Sequence, residues 1–123
     1  MIFRDAQHKS LYNNLCGQFK HIDEFHTALL YLIALDEVCR QHIPDIFSIE
    51  QDSIKPECIA ESWQTGTSRK TCRLAFNLWN GRAADSDSEN ASPNYAVDEI
   101  FNCEYAPYFW QAIKLRFPEY SEI

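Results

Sequence analysis

The chain has 123 residues, of which 46% are hydrophobic and 14% aromatic, and its formal net charge is -7. That is the length of one domain, enough to bury a core without metal or disulfide help, and the apolar content is too high for a disordered chain. The longest apolar run, Ala28 to Leu35, is far short of the roughly 20 residues that cross a bilayer, so no membrane span or membrane partner is expected.

The opening stretch "MIFRDAQHKS" has an early acid in place of the basic and then apolar pattern of an export signal. The five cysteines, Cys16, Cys39, Cys58, Cys72 and Cys103, are scattered and odd in number, unlike a secreted disulfide framework. Both features point to a cytoplasmic protein with free thiols.

In chain order, Leu11, Tyr12, Leu15, Cys16 and Phe19 recur at helical spacing behind Asp5, which predicts a helix over about 5–19 capped by Asp5. Asp23 caps a second helix, Glu24 to Gln41, whose polar members His26, Asp36, Glu37 and Arg40 share one narrow arc; it should be central to the core. Pro44 ends it. The stretch "DIFSIEQDSIK" reads as irregular or a short helical turn, and Pro56 starts a short helix through Ser62.

A turn at "TGTSRK" then leads into a helix with Thr67 or Ser68 as its cap, stopped after Asn80 by Gly81. Cys72, Ala75, Phe76 and Trp79 form its inner face, whereas Arg69, Lys70 and Arg73 share an exposed stripe with Asn77 and Asn80. Residues 82–94, "RAADSDSENASPN", lack apolar periodicity and predict a flexible acidic loop. A short helix near Asp98 to Cys103 and a last one beginning at Pro107 complete an all-α, compact single domain of five or six helices spanning 1–123.

Charge is unevenly spread. Residues 20–61 hold nine acids against three bases and residues 83–123 hold eight against two, so each segment carries -6. Between them, residues 62–82 carry Arg69, Lys70, Arg73 and Arg82 with no acid. A helix start offers unpaired N–H groups and a positive dipole end, so Thr67, Ser68, Arg69, Lys70 and Arg73 form the candidate phosphate or nucleic-acid site. The competing reading is a plain helix cap with bases paired to nearby acids. A P-loop is excluded because the glycine and lysine order is wrong and no strand precedes the segment.

A helix-turn-helix reading of "IAESWQTGTSRKTCRLAFNLW" is disfavoured by spacing, since Ala60 and Gly66 stand six apart and leave a connection too long for the usual turn. Cys39 and His42 have no second close pair to complete a zinc site, so no metal is expected and the thiols read as core. No serine or cysteine has a nucleophile context, and His26, Asp36 and Glu37 lie too far apart along one helix for acid–base work; neither catalysis nor a cofactor is indicated. The tail "NCEYAPYFWQAIKLRFPEY" carries more aromatics than a short helix can turn inward. Tyr105, Tyr108 and Trp110 are therefore candidates for contact with a protein partner, against the alternative that they wall the core.

The stretches "IKPECIAESWQTGTSRKTCRLAFNLWNG" and "YAVDEIFNCEYAPYFWQAIKLRFPEY" resemble a family of small uncharacterised proteins from Gram-positive bacteria and their phages and mobile elements. The resemblance runs nearly end to end and includes the KPEC, TGTSRK and APYFW segments. It implies no activity, cofactor or catalytic residue. It implies a context, in which a non-catalytic interaction or regulatory module of a mobile element binds a host regulator or defence component. Nucleic-acid or phosphate-ligand binding through the TGTSRK segment is the alternative.

Overall fold

The computed structural model describes residues 1–88 and 90–121. Its helices are α1 (Ala6–Cys16), α2 (Glu24–Leu35), α3 (Glu37–Arg40), α4 (Ile43–Ile46), α5 (Gly66–Asn80), α6 (Val97–Ile100) and α7 (Ala106–Arg116), with 3-10 turns at Pro56–Ala60, Pro93–Tyr95 and Pro118–Tyr120. The chain is mostly helical rather than all-α. A two-stranded antiparallel hairpin, β1 (Phe47–Ser48) and β2 (Ser53–Ile54), pairs Phe47 with Ile54 and Ser48 with Ser53. It occupies the stretch expected to be irregular. Its turn ends on Asp52, which takes a left-handed backbone (φ 53°), a conformation that a short polar side chain tolerates better than a branched one.

α2 is the axis. Every residue from Ala28 to Leu35 is fully buried, and α1, α5 and α7 pack around it. Beyond its first turn the helix is apolar on every side, so its last carbonyls have no solvated face to turn to, and side chains serve both ends. At the N-terminus, the Asp23 carboxylate accepts from the His26 backbone N–H at 3.0 Å. The buried His26 ring lies between two carboxylates, with Nδ1 2.7 Å from Asp23 and Nε2 2.7 Å from Asp52. Phe19 and Trp79 pack on the same ring.

At the other end, the helix expected to run to Gln41 stops at Leu35. Asp36 turns extended (ψ 133°) and caps α3 by accepting from the Cys39 N–H at 2.9 Å. Arg40 makes the break tolerable. Its Nε–H donates to the Ala34 carbonyl at 2.6 Å and Nη2 to the Leu35 carbonyl at 3.2 Å, while Nη2 also meets Asp5 at 2.9 Å. Arg40 thus pairs with Asp5 and with the end of α2, not with Asp36 one turn earlier. Pro44, expected to end a helix, lies in the first turn of α4.

Asp5 caps α1 as expected, accepting from the His8 N–H at 2.7 Å. His8 itself is fully buried: Nδ1 accepts from the Arg4 N–H at 3.0 Å, which leaves Nε2–H to donate to the Tyr31 carbonyl at 2.8 Å. Burial pulls this imidazole below its ordinary value, outweighing the help its charged form gets from Tyr31, so it is a neutral core histidine.

Two outcomes follow from the ends of α2. Arg40→Met keeps most of the stem but leaves the Ala34 and Leu35 carbonyls without their donors, and should lower unfolding free energy by about 1–3 kcal/mol in urea titration. For His26, burial opposes the charge, but the bonds to Asp23 and Asp52 outweigh it and raise the imidazole above its ordinary value. A base whose folded value is raised stabilises fully below the unfolded value of about 6.5 and loses that contribution as pH rises through the folded value. The melting-temperature gap between wild type and His26→Gln should therefore narrow as pH rises above about 6.5; a gap independent of pH would contradict a charged bridge.

Candidate functional site

α5 begins two or three residues earlier than the sequence suggests. Thr65, not Thr67 or Ser68, is the cap: its hydroxyl accepts from the Ser68 N–H at 3.0 Å, and the Ser68 hydroxyl accepts from the Thr65 N–H at 2.7 Å, a reciprocal capping box. Ser68 is fully buried and its hydroxyl also donates to Gln64 Oε1. Thr67 is half-buried, and its carbonyl accepts from the Thr71 hydroxyl at 3.0 Å. Lys70 reaches away to the Asn102 carbonyl, 3.0 Å from Nζ. The five residues of the candidate phosphate site therefore do not converge on one point.

Two of them converge on something else. Arg69 and Arg73 stand one helical turn apart, and Gly81 (φ 78°) stops α5 in the left-handed conformation and turns the chain back. Asn77 Nδ2 fastens the reversal by donating to the Arg82 carbonyl at 2.9 Å. Arg82 thereby joins Arg69 and Arg73 on the wall of an open cleft of about 710 Å³. The 3-10 turn supplies another wall through Pro56, Glu57, Ile59 and Ala60, and the acidic loop supplies the rim through Asp85 to Asp87.

Within the cleft the arginines differ. Arg73 grips Asp85 with two parallel bonds, Nε to Oδ1 at 3.1 Å and Nη2 to Oδ2 at 2.9 Å, and both side chains are largely shielded, 14% and 25% exposed. Arg82 Nη1 meets Asp87 at 2.9 Å and Nη2 donates to the Asp85 carbonyl at 3.1 Å. Its Nε–H is buried without a partner among the described residues. Arg69 is held by Nε–H donating to the Ile59 carbonyl at 3.1 Å, and it makes no ion pair among the described residues.

Burial works against ionised Asp85, but the two bonds from Arg73, together with the nearby charge of Arg82, hold it below the usual carboxylate range. The Tyr95 phenol leans on the same carboxylate and is pushed up by burial and by Asp85, although its hydroxyl meets no described residue in full hydrogen-bond geometry. The loop is irregular, as expected, but fastened: Ser92 N–H donates to the Ala83 carbonyl at 2.7 Å, closing its ends on each other. Position 89, within the loop expected at 82–94, lies outside the described residues.

The aromatic candidates separate as well. Tyr105 is 7% exposed and carries the Arg4 guanidinium 5.2 Å over its ring. Tyr108 is half-buried with its edge against His8. Trp110 is 56% exposed, resting on Phe101 at 5.1 Å. Only Trp110 of the three presents most of its ring to solvent.

Three cysteines gather in the core behind α5. Cys39 and Cys72 lie 3.8 Å apart, and Gln64 Nε2 reaches both Cys58 Sγ at 3.8 Å and Cys72 Sγ at 3.7 Å. The Cys58 and Cys72 thiols are pushed up first by the thiol each faces, Cys72 and Cys39 respectively. The contact with Cys72 favours the Cys39 thiolate, but burial and nearby Asp36 outweigh it. Among the described residues no group of three His, Cys, Asp or Glu side chains is placed to hold a metal ion, and no helix is long and apolar enough to cross a membrane.

Sequence reasoning counted Arg82 in the basic block but not in the site, because a helical wheel ends where the helix ends. The glycine stop was the available signal: a left-handed reversal brings the next residue back over the last turn. The Asp85 and Asp87 pairings had no local signal beyond the loop's charge.

No curated protein and no solved structure matches the chain. The family model of DUF6075, a family of unknown function, matches residues 1–123, and with the whole chain covered the protein belongs to that family.

Proposed function

We propose that this chain is a non-catalytic binding module for a protein partner and that the arginine-lined cleft is the surface that receives it. The observation that carries the reading is the convergence of Arg69, Arg73 and Arg82 on one cleft of about 710 Å³ in a chain of net charge -7. Guanidinium forks form strong, oriented, charge-assisted bonds with carboxylates, and more so where solvent is partly excluded. A protein that concentrates such groups in one recess, inside an otherwise acidic surface, is suited to a short anionic segment of another protein. In the finer form of the reading, the chain belongs to a mobile element of a Gram-positive host and the partner is a host regulator or defence component. Trp110, exposed on α7, is a second contact point for such a partner.

The alternative is a phosphate or nucleic-acid ligand. The guanidinium fork fits phosphate as well as carboxylate, which supports it; the positions of Ser68 and Lys70, whose polar groups are engaged elsewhere, and the acidic remainder, which repels a long polyanion, weigh against it.

The arginine Nε–H resonances separate the two. They should be followed by NMR while a hexaglutamate peptide, and separately mixed-sequence single-stranded and duplex DNA, are titrated to about 1 mM, where even a weak site fills. The expected result is a saturable shift at Arg69, Arg73 and Arg82 with the peptide, lost in Arg69→Gln with Arg73→Gln. Shifts with DNA alone that weaken with salt, as phosphate contacts do, would transfer the cleft to the alternative, and shifts with neither would remove it as a contact surface.

A further inference from the structure

The cleft already has an anionic occupant, the chain's own loop. Three features mark that occupant as provisional. The first is charge. The lining holds Arg69, Arg73 and Arg82 against Glu57, Asp85 and Asp87, so the recess is balanced only while the loop lies in it; without the two loop carboxylates, three cations face Glu57 alone. The second is fit. With the loop in place, the buried Arg82 Nε–H has no partner among the described residues, and Arg69 has no carboxylate among them. Buried donors left unmade are costly and are normally satisfied, so a better-shaped anion has donors waiting for it. The third is mechanical. The loop is closed by the Ser92–Ala83 bond and anchored by buried Ala84, which makes Asp85 and Asp87 the tip of a compact Ω-type loop whose ends stay put when the tip moves. Of its two grips, the one at Asp87 is weak, because that side chain is 93% exposed and such pairs contribute little. Asp85 is the real latch.

Resting on the reading of the cleft as a protein-binding surface, we infer that its ligand is an acidic segment of the partner bearing two carboxylates one residue apart, and that Asp85-Ser86-Asp87 occupies the same place until that segment displaces it. The loop is thus a template for the ligand as well as its competitor. Arg73 takes the first carboxylate in a bidentate grip, Arg82 takes the second, and Arg69, which neither Asp85 nor Asp87 engages, is the additional contact that the partner gains. An intramolecular competitor reduces apparent affinity by the fraction of molecules in which the site is open. It therefore filters out weak anions and passes only a segment that uses the donors the loop leaves unmet.

The test compares wild type with Asp85→Asn, Asp87→Asn in binding a fluorescent peptide Ala-Asp-Ser-Asp-Ser, the chain's own sequence at 84–88, with Ala-Asn-Ser-Asn-Ser as the uncharged control. A loop that closes the cleft about nine-tenths of the time gives about tenfold tighter binding in the double variant, none for the control peptide, and loss of binding when Arg73→Gln is added. Should the double variant not fold by circular dichroism, a chain with residues 85–90 replaced by two glycines reports the same quantity, since the Ser92–Ala83 bond already holds the loop ends together. Equal affinity in closed and opened proteins overturns the competitor while leaving the cleft as a protein-binding surface. No peptide binding by either protein overturns both. Preference of the opened cleft for single-stranded DNA over the peptide overturns the acidic-segment assignment.

Discussion

Complete burial of α2 from Ala28 to Leu35 is the constraint on which the rest of the structure depends. A helix with no solvated face stabilises a small domain strongly, because each large side chain removed from water contributes about 1.5–3 kcal/mol, but it hands the protein a problem at each end. The first N–H groups have no partners within the helix, and the last carbonyls, set among buried residues, have no water to turn to either. Here Asp23 caps the first N–H groups locally while Asp52 of the hairpin turn holds the His26 ring beside it, and Arg40 reaches the last carbonyls from beyond the break at Asp36. The hairpin and the interruption at Asp36 follow from this need. The former places a carboxylate beside His26, and the latter lets Arg40 fold back over the carbonyls it serves.

The same constraint places the cleft. α5 gives its inner face, with Cys72, Ala75 and Phe76 fully buried, to the wall of α2, so its cations lie on the far side. There they would form an ordinary solvated stripe had the chain not returned over them twice, through the 3-10 turn at Pro56–Ala60 before the helix and through the loop after Gly81. Two connections flanking one helix turn a stripe into a recess. Arg116 shows the same economy of end-capping elsewhere: Nε–H donates to the Leu78 carbonyl at 2.9 Å while the guanidinium lies 3.8 Å over the Phe25 ring, joining α7 to the end of α5.

The local signals were legible and the long-range ones were not. Asp5, Asp23 and Gly81 declare their caps because capping needs only the residues within one turn. The run from Ala28 to Leu35 declares a core helix because its apolarity has no period. The break at Asp36 left no such mark: Glu37 to Arg40 continue the helical pattern, and the competing interactions come from Asp5 and from the backbone geometry of Asp36 itself. The cap at Thr65 was missed because Ser68 also reads as a cap; the two share one box, and only the reciprocal bonding shows which stands outside the helix. The hairpin strands are two residues each, too short to show alternation. In the site, Arg69 and Arg73 follow from helical spacing. Arg82, Asp85 and Asp87 depend on how a reversed chain lies back on the helix, which no periodicity encodes.

Charge acts on this protein at two ranges, and the two work against each other by design of the sequence. At low ionic strength, where the screening length exceeds about 10 Å, an approaching anion meets the field of a chain of net charge -7 and is repelled. Within the cleft it meets guanidinium groups whose bonds are short and directional. For a ligand of the proposed kind, the outer field slows association of uniformly acidic molecules and tolerates those whose acidic segment sits among neutral or basic neighbours. The inner groups then reward only a segment that places its carboxylates as Asp85 and Asp87 place theirs. Selectivity of this form needs no apolar pocket and no nucleic-acid code; it needs guanidinium groups held in place, as the 3-10 turn holds Arg69 through the Ile59 carbonyl.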